Sequence, residues 1–167
     1  MMYWYVLWVK TGAEEGIQKC LQSYFDYNTL HSLIPKRLLI EKRQGVAHLV
    51  QKKMFPGYVF ICADMNYIIY NIIKKIPKII KILNSNGSYY SAIDDSEINI
   101  ILSLVGSGDI VKISRIHIKN SKIFILNGPL KNLEGIVKRI DKHKKRAKIL
   151  INLLNTPKLI DVGIEIV

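Results

Sequence analysis

The side chains whose type and spacing could do chemistry are cations gathered toward the carboxyl end. The run 142-KHKKR-146 sets Lys142, His143, Lys144, Lys145 and Arg146 side by side, with Lys138, Arg139 and Lys148 close by. Ammonium and guanidinium groups at this density hold phosphate oxygens and cleave nothing by themselves. Most lysine-rich turns are simply solvated. This one lies in a segment, 109–167, with 13 basic and five acidic side chains, against 12 and eight in residues 1–108. Two-thirds of the net charge of +12 therefore falls in the last third of the chain, which argues for contact with nucleic acid.

Other chemistry finds less support. His31, His48, His117 and His143 stand outside metal-ligand spacing of one another and of Cys20 and Cys62, so no metal and no cofactor are expected. The 106-GSG-108 stretch lacks the lysine and flanking pattern of a phosphate loop. Cys62 with a distant histidine would make a nucleophile pair, but a small buried hydrophobe in a strand is the plainer reading. Asp94 and Asp95 are paired carboxylates that read better as a helix cap. The chain is expected to be a binding protein without an active site. Two cysteines make no disulfide framework, no leader is visible, and no apolar run nears the roughly 18–20 residues of a membrane span, so a cytoplasmic monomer without membrane contact is expected.

The kind of nucleic acid follows from what accompanies the cations. Single strands are held by stacking on aromatic rings. Past residue 108 the one aromatic is Phe124, inside an apolar strand. Phosphate-directed cations, including Lys119 and Lys122 around Asn120 and Ser121, suit a folded RNA read by shape and backbone. Duplex DNA fits the same set.

These side chains need elements to position them. Residues 3-YWYVLWV-9 form an unbroken apolar run, a strand covered on both faces. The stretch 11-TGAE-14 offers a capping box, and Ile17, Cys20, Leu21, Tyr24 and Phe25 recur at helical spacing, predicting a helix over 13–27. Two extended segments follow, 32–45 and 46–55, around a turn at Gln44-Gly45. A strand is predicted over 57–63. A helix capped by Asp64 or Asn66 carries Ile69, Ile72, Ile73 and Ile76 and ends at Pro77. A strand over 78–83 leads to an Asn/Ser/Gly turn. Asp94 with Glu97 caps a last helix carrying Ile98, Ile101, Leu102 and Val105 inward.

Beyond 106-GSGD-109 only short β runs remain, at 123–126, 135–140, 147–154 and 159–167, which predict a small barrel. The chain thus reads as α+β, with a first domain over 1–106, a linker over 107–117 and a second domain over 118–167.

The stretch 53-KMFPGYV-59, after a strand opening Trp4-Tyr5-Val6 and a helix, resembles the N-terminal domain of NusG-type transcription factors. The stretch 127-NGPLKNLEGIVKRIDKHKKRAKILI-151 resembles the KOW motif of the same family. The resemblance implies an antiparallel sheet flanked by helices, followed by a KOW β-barrel. It implies binding to the clamp helices of the largest subunit of RNA polymerase, through an apolar surface including Trp4, Phe55 and Tyr58. A proline and glycine at the head of a strand would turn the backbone and present Phe55 and Tyr58 outward; the alternative is that both rings are core. Lys52 and Lys53 would lie near DNA of the elongation complex or the clamp.

The basic turn is closest to the specialised LoaP group, antiterminators recruited by an RNA hairpin in the nascent transcript. Lys138, Arg139, Lys142, His143, Lys144, Lys145, Arg146, Lys119 and Lys122 would hold that hairpin. The alternative is a general NusG-type elongation factor whose KOW domain binds Rho or a ribosomal protein. The β-branched residues and glycines of the KOW segment argue against the helical refolding of RfaH-type relatives.

Overall fold

The computed structural model describes residues 1–85 and 87–167. The elements run β1 (Tyr3–Val9), α1 (Glu14–Tyr24), β2 (Leu30–Leu33), β3 (Lys36–Arg43), β4 (Val46–Lys53), β5 (Tyr58–Ala63), α2 (Tyr67–Lys74), β6 (Ile79–Ile82) and α3 (Asp95–Val105). They continue with β7 (Ile110–Val111), β8 (Ser114–Lys119), β9 (Lys122–Asn127), β10 (Val137–Asp141), β11 (Arg146–Leu153) and β12 (Thr156–Ile166). The class is α+β. The chain divides into two compact units, Met1–Ile34 with Phe55–Ile98, and Pro35–Met54 with Asn99–Val167.

The first unit is built on an antiparallel sheet of order β2-β5-β1-β6. Alternation decides its faces. Tyr5, Leu7 and Val9 of β1 and Val59, Ile61 and Ala63 of β5 join Ile17 and Leu21 of α1 and Ile69 and Ile73 of α2 in one core. The expected cap at Thr11 is replaced. Ala13 stands at the start of α1 without a side-chain bond, and the Glu14 carboxylate accepts from the Gly12 N–H at 2.7 Å instead. The helix stops at Tyr24 because Phe25 is extended and turns into the core. Of the two expected caps of α2, Asn66 serves, its side-chain oxygen accepting from the Ile69 N–H at 2.9 Å. The Asn/Ser/Gly turn after Leu83 includes Asn86, which lies outside the described residues.

In the second unit β3 and β4 form a ribbon whose turn places Gln44 at φ 52° and Gly45 at φ 78°, the double left-handed pattern of a tight hairpin. The short β7 pairs parallel to β3. A curled five-stranded sheet of order β10-β11-β12-β8-β9 encloses Ile116, Ile125, Ile149, Ile151, Val162 and Ile164. The Asn-Gly-Pro entry is a close approach: Gly128 has φ +98°, and a Cβ there would lie 2.6 Å from the Ser114 Cα. The Ser114 hydroxyl accepts from the Leu130 N–H at 3.0 Å. β12 also packs on β3, where the Leu38 carbonyl fills the space a Cβ on Gly163 would need.

Sequence periodicity passed over β7 and β8 and merged the end of β2 with β3, and residues 134–136 form a 3-10 turn rather than the start of a strand. Residues 107–117 carry β7 and the first four residues of β8.

Candidate functional site

In the first unit the stretch 55–58 is a turn, not the head of a straight strand. The Tyr58 N–H bonds the Phe55 carbonyl at 3.1 Å, with Pro56 and Gly57 between and Gly57 at φ +85°. Proline second and a positive-φ glycine third is the type II pattern. The Gly57 N–H donates to Glu14 at 2.8 Å and its carbonyl accepts from the Val9 N–H at 2.8 Å. The Glu14 side chain is fully buried and clamps this turn to the start of α1.

The two rings of this turn differ in exposure. Phe55 is 5% exposed, its centroid 5.4 Å from that of Phe60, so it is a core side chain and is not presented outward. Its ring packs on the face of β5 that carries Tyr58 and Phe60, and burial of a phenyl ring there outweighs any gain from exposing it. Tyr58 is half-buried, lying nearly parallel to Phe55 at 6.3 Å. Trp4 is half-buried and meets His31 edge-on at 5.4 Å.

The register of β1 and β5 opposes Trp4 to Cys62 and Trp8 to Tyr58, so Trp4, Trp8 and Tyr58 share the sheet face turned away from α1 and α2. Trp8, 41% exposed, was missed by the sequence reading. Its signal was the period of two in Trp4-x-Val6-x-Trp8, hidden inside an unbroken apolar run. Cys62 lies in the same row; burial pushes its thiol up, the opposite of an activated nucleophile.

In the second unit the basic run forms the turn between β10 and β11. Asp141 accepts from the Lys144 N–H at 2.9 Å, and that bond holds its carboxyl below the ordinary range, with the Lys144 charge adding to the effect. Lys145 takes φ 56° to close the turn. Lys142, His143, Lys144 and Lys145 are exposed. Lys138 and Arg139 are exposed on β10, the Lys138 ammonium donating to the Gly135 carbonyl at 3.2 Å. Lys119 and Lys122 are exposed and directly opposed across the β8–β9 hairpin. β11 runs antiparallel and β8 parallel to β12, so the 142–145 turn and the Lys119–Lys122 hairpin tip emerge at the same end of the sheet.

Arg146 differs from its neighbours. Its guanidinium lies 3.4 Å from Glu41 of β3 and 3.8 Å from Asp161 of β12, with its side chain 21% exposed. It is a structural cation joining ribbon to barrel rather than a free member of the basic run. Lys148 pairs with Asp161 at 3.5 Å, and Arg37 donates to the Asp161 carbonyl. Burial pushes the Arg37 guanidinium down, with Arg146 opposing its charge further. Lys52 meets Glu41 at 2.7 Å, and its hydrogen bond pulls that carboxyl below its usual value.

Phe124 is 48% exposed, not enclosed in its strand, because β9 is the last strand of its sheet. Leu126, two residues on, is equally open. An aromatic contact on the barrel is therefore sterically available. Among the described residues no three histidine, cysteine or acidic side chains gather as a metal site, and no helix is long and apolar enough to cross a membrane.

Comparison with known proteins agrees with this architecture. A family model described as "Transcription termination factor nusG" matches residues 2–102. The "Transcription termination/antitermination protein NusG" of Buchnera aphidicola subsp. Acyrthosiphon pisum (strain APS) is 25% identical over 166 residues, covering 95% of this chain and 92% of the relative. The protein so named in Escherichia coli (strain K12) is 23% identical over 156 residues, with 90% and 86% covered. A solved structure described as "Domain interaction in Thermotoga maritima NusG" shares the fold, with a TM-score of 0.59 at 22% identity over 95% of this chain and 93% of that one.

Proposed function

The chain belongs to the NusG family, and from that premise we propose that it is a transcription antitermination and elongation factor of the specialised, LoaP-like kind. In this reading the 1–106 domain binds RNA polymerase at the clamp helices of the largest subunit. Trp4, Trp8 and Tyr58 supply the contact, as half-buried or exposed rings on one rigid sheet face, where anchors of a protein interface belong. The 118–167 KOW domain holds a hairpin in the nascent RNA, with Lys138, Arg139, Lys142, His143, Lys144 and Lys145 on phosphates and Lys119 and Lys122 at the same end of the barrel. Lys52 and Lys53 lie on the ribbon, where DNA of the elongation complex is a further partner.

The observation that carries the reading is the 142–145 turn. Four consecutive cationic or titratable side chains project into solvent, on a segment with 13 basic and five acidic residues. The test is transcription by purified polymerase through a terminator placed behind a leader hairpin. Readthrough that rises with this protein, only when the hairpin is present, supports the proposal. Equal readthrough without the hairpin contradicts it.

A second reading, the general elongation factor whose barrel docks a protein such as Rho or a ribosomal protein, is favoured by Phe124 and Leu126, exposed side by side on an edge strand. Loss of hairpin-independent activity on Phe124→Ser would favour it.

A further inference from the structure

The seam between the β3–β4 ribbon and the barrel is short of negative charge. Glu41 is shared by Lys52, Arg146 and Arg43, and Asp161 by Arg146 and Lys148, with Arg37 on its backbone carbonyl. Five cations thus stand around two carboxylates. The Nε–H groups of Arg37 and Arg146 are enclosed there without an acceptor among the described residues. Two of the five, Arg37 and Arg146, are partly buried, where like charges held together raise the free energy of the seam unless an anion approaches.

A groove of about 310 Å3 opens beside this seam, lined by Ile40, Glu41 and Lys42 of β3 and His143, Lys144 and Lys145 of the turn. Its one acidic lining residue, Glu41, is already engaged by Lys52 and Arg146. Among the described residues, no carboxylate comes within ion-pair distance of the Lys42 or Lys145 ammonium. The groove is therefore walled by uncommitted cations on two different elements, with an apolar patch from Ile40. That arrangement suits a phosphodiester group, whose spread negative charge takes several donors at once.

We propose that this groove seats a phosphate of the bound RNA backbone, and that Lys42 of the ribbon belongs to the RNA site together with Lys144 and Lys145. The inference rests on the reading of the barrel as an RNA-binding module and adds a wall that the barrel does not contain. The ribbon contributes position as well as charge: β3 is fixed on β12 by the Arg146–Glu41 pair and the close approach of Leu38 to Gly163, so Lys42 lines the groove from a strand held on the barrel.

The test is the salt dependence of full-chain binding to a leader hairpin RNA for K42A, K144A and, as a control for charge removed elsewhere, K19A on α1. Each phosphate left without its cation lowers the log–log slope by about 0.7–0.9, which is roughly a four- to fivefold loss of affinity at 0.15 M salt. The expected result is that loss for K42A and K144A and no change of slope for K19A. K42A behaving as K19A while K144A weakens binding overturns the groove and leaves the RNA reading standing. Failure of K42A and K144A alike to change binding overturns both. Tighter binding of a duplex DNA of equal length, with the same K42A loss, overturns RNA as the occupant.

Discussion

The Glu14 carboxylate bonds the Gly57 N–H at 2.8 Å across 43 positions of sequence, while its other oxygen bonds the Gly12 N–H at 2.7 Å. One buried side chain thus fixes both the entry to α1 and the turn that aims Phe55 and Tyr58. Replacing it with alanine strands the enclosed Gly57 N–H, worth about 1–3 kcal/mol, and removes the acceptor used by the N–H of Gly12, an exposed residue. Glu14→Ala should lower unfolding stability by about 2–4 kcal/mol in a urea titration, and Gln, which offers one acceptor oxygen in place of two, should recover only part of the loss.

Phe55 and Tyr58 are neighbours with opposite fates, and their alanine variants should separate. Phe55→Ala removes a core ring and should cost about 3–5 kcal/mol of stability. Tyr58→Ala and Trp8→Ala, which truncate partly exposed rings, should cost less stability than Phe55→Ala. As interface anchors, they should weaken binding to purified RNA polymerase by about 2 kcal/mol, or roughly thirtyfold.

Gly128 admits no side chain, since a Cβ would meet the Ser114 Cα at 2.6 Å and the backbone stands at φ +98°. Gly128→Ala should destabilise the barrel by about 2–4 kcal/mol, from strain and overpacking together. Amide hydrogen exchange should show the loss in β8, β11 and β12 before it shows in β1 or β5.

Acid should loosen the ribbon from the barrel. The hydrogen bond from Lys52, aided by the charges of Lys52, Arg146 and Arg43, holds the folded Glu41 carboxyl below its ordinary 4.5. A depressed folded value means the folded state favours the ionised form. Its stabilisation is complete above the ordinary value and is lost as pH falls through the lowered one. Exchange protection of β3 and β4 should therefore drop as pH falls from the ordinary value through the lowered one in the native protein. Glu41→Gln should remove that step.

Sequence periodicity located the helices and most of the strands that carry the core, because burial of Ile17 and Leu21 or of Ile69 and Ile73 leaves a helical stripe in the chain. It also located the basic turn, since charge needs no partner to be visible. What it missed depends on neighbours distant in sequence. Phe55 is buried by a turn whose Gly57 is held by Glu14, 43 positions earlier. Arg146 reads as one more cation of its run until Glu41, 105 positions earlier, is brought beside it. Trp8 is indistinguishable from its apolar neighbours until β5 assigns the faces of β1. Phe124 sits in a run that reads as buried, and only the strand order, which puts β9 at an edge, exposes it.

Everything proposed for the barrel depends on the 142–145 turn meeting RNA phosphates. The deciding measurement is the affinity of the full chain for a leader hairpin at several salt concentrations, native against a Lys142→Ala, Lys144→Ala, Lys145→Ala triple variant that leaves the Arg146–Glu41 pair intact. The expected outcome is a log–log slope smaller by about 2 for the variant, at about 0.7–0.9 per phosphate released, with polymerase binding unchanged. Equal slopes and equal affinities for the two proteins would refute RNA binding by this turn.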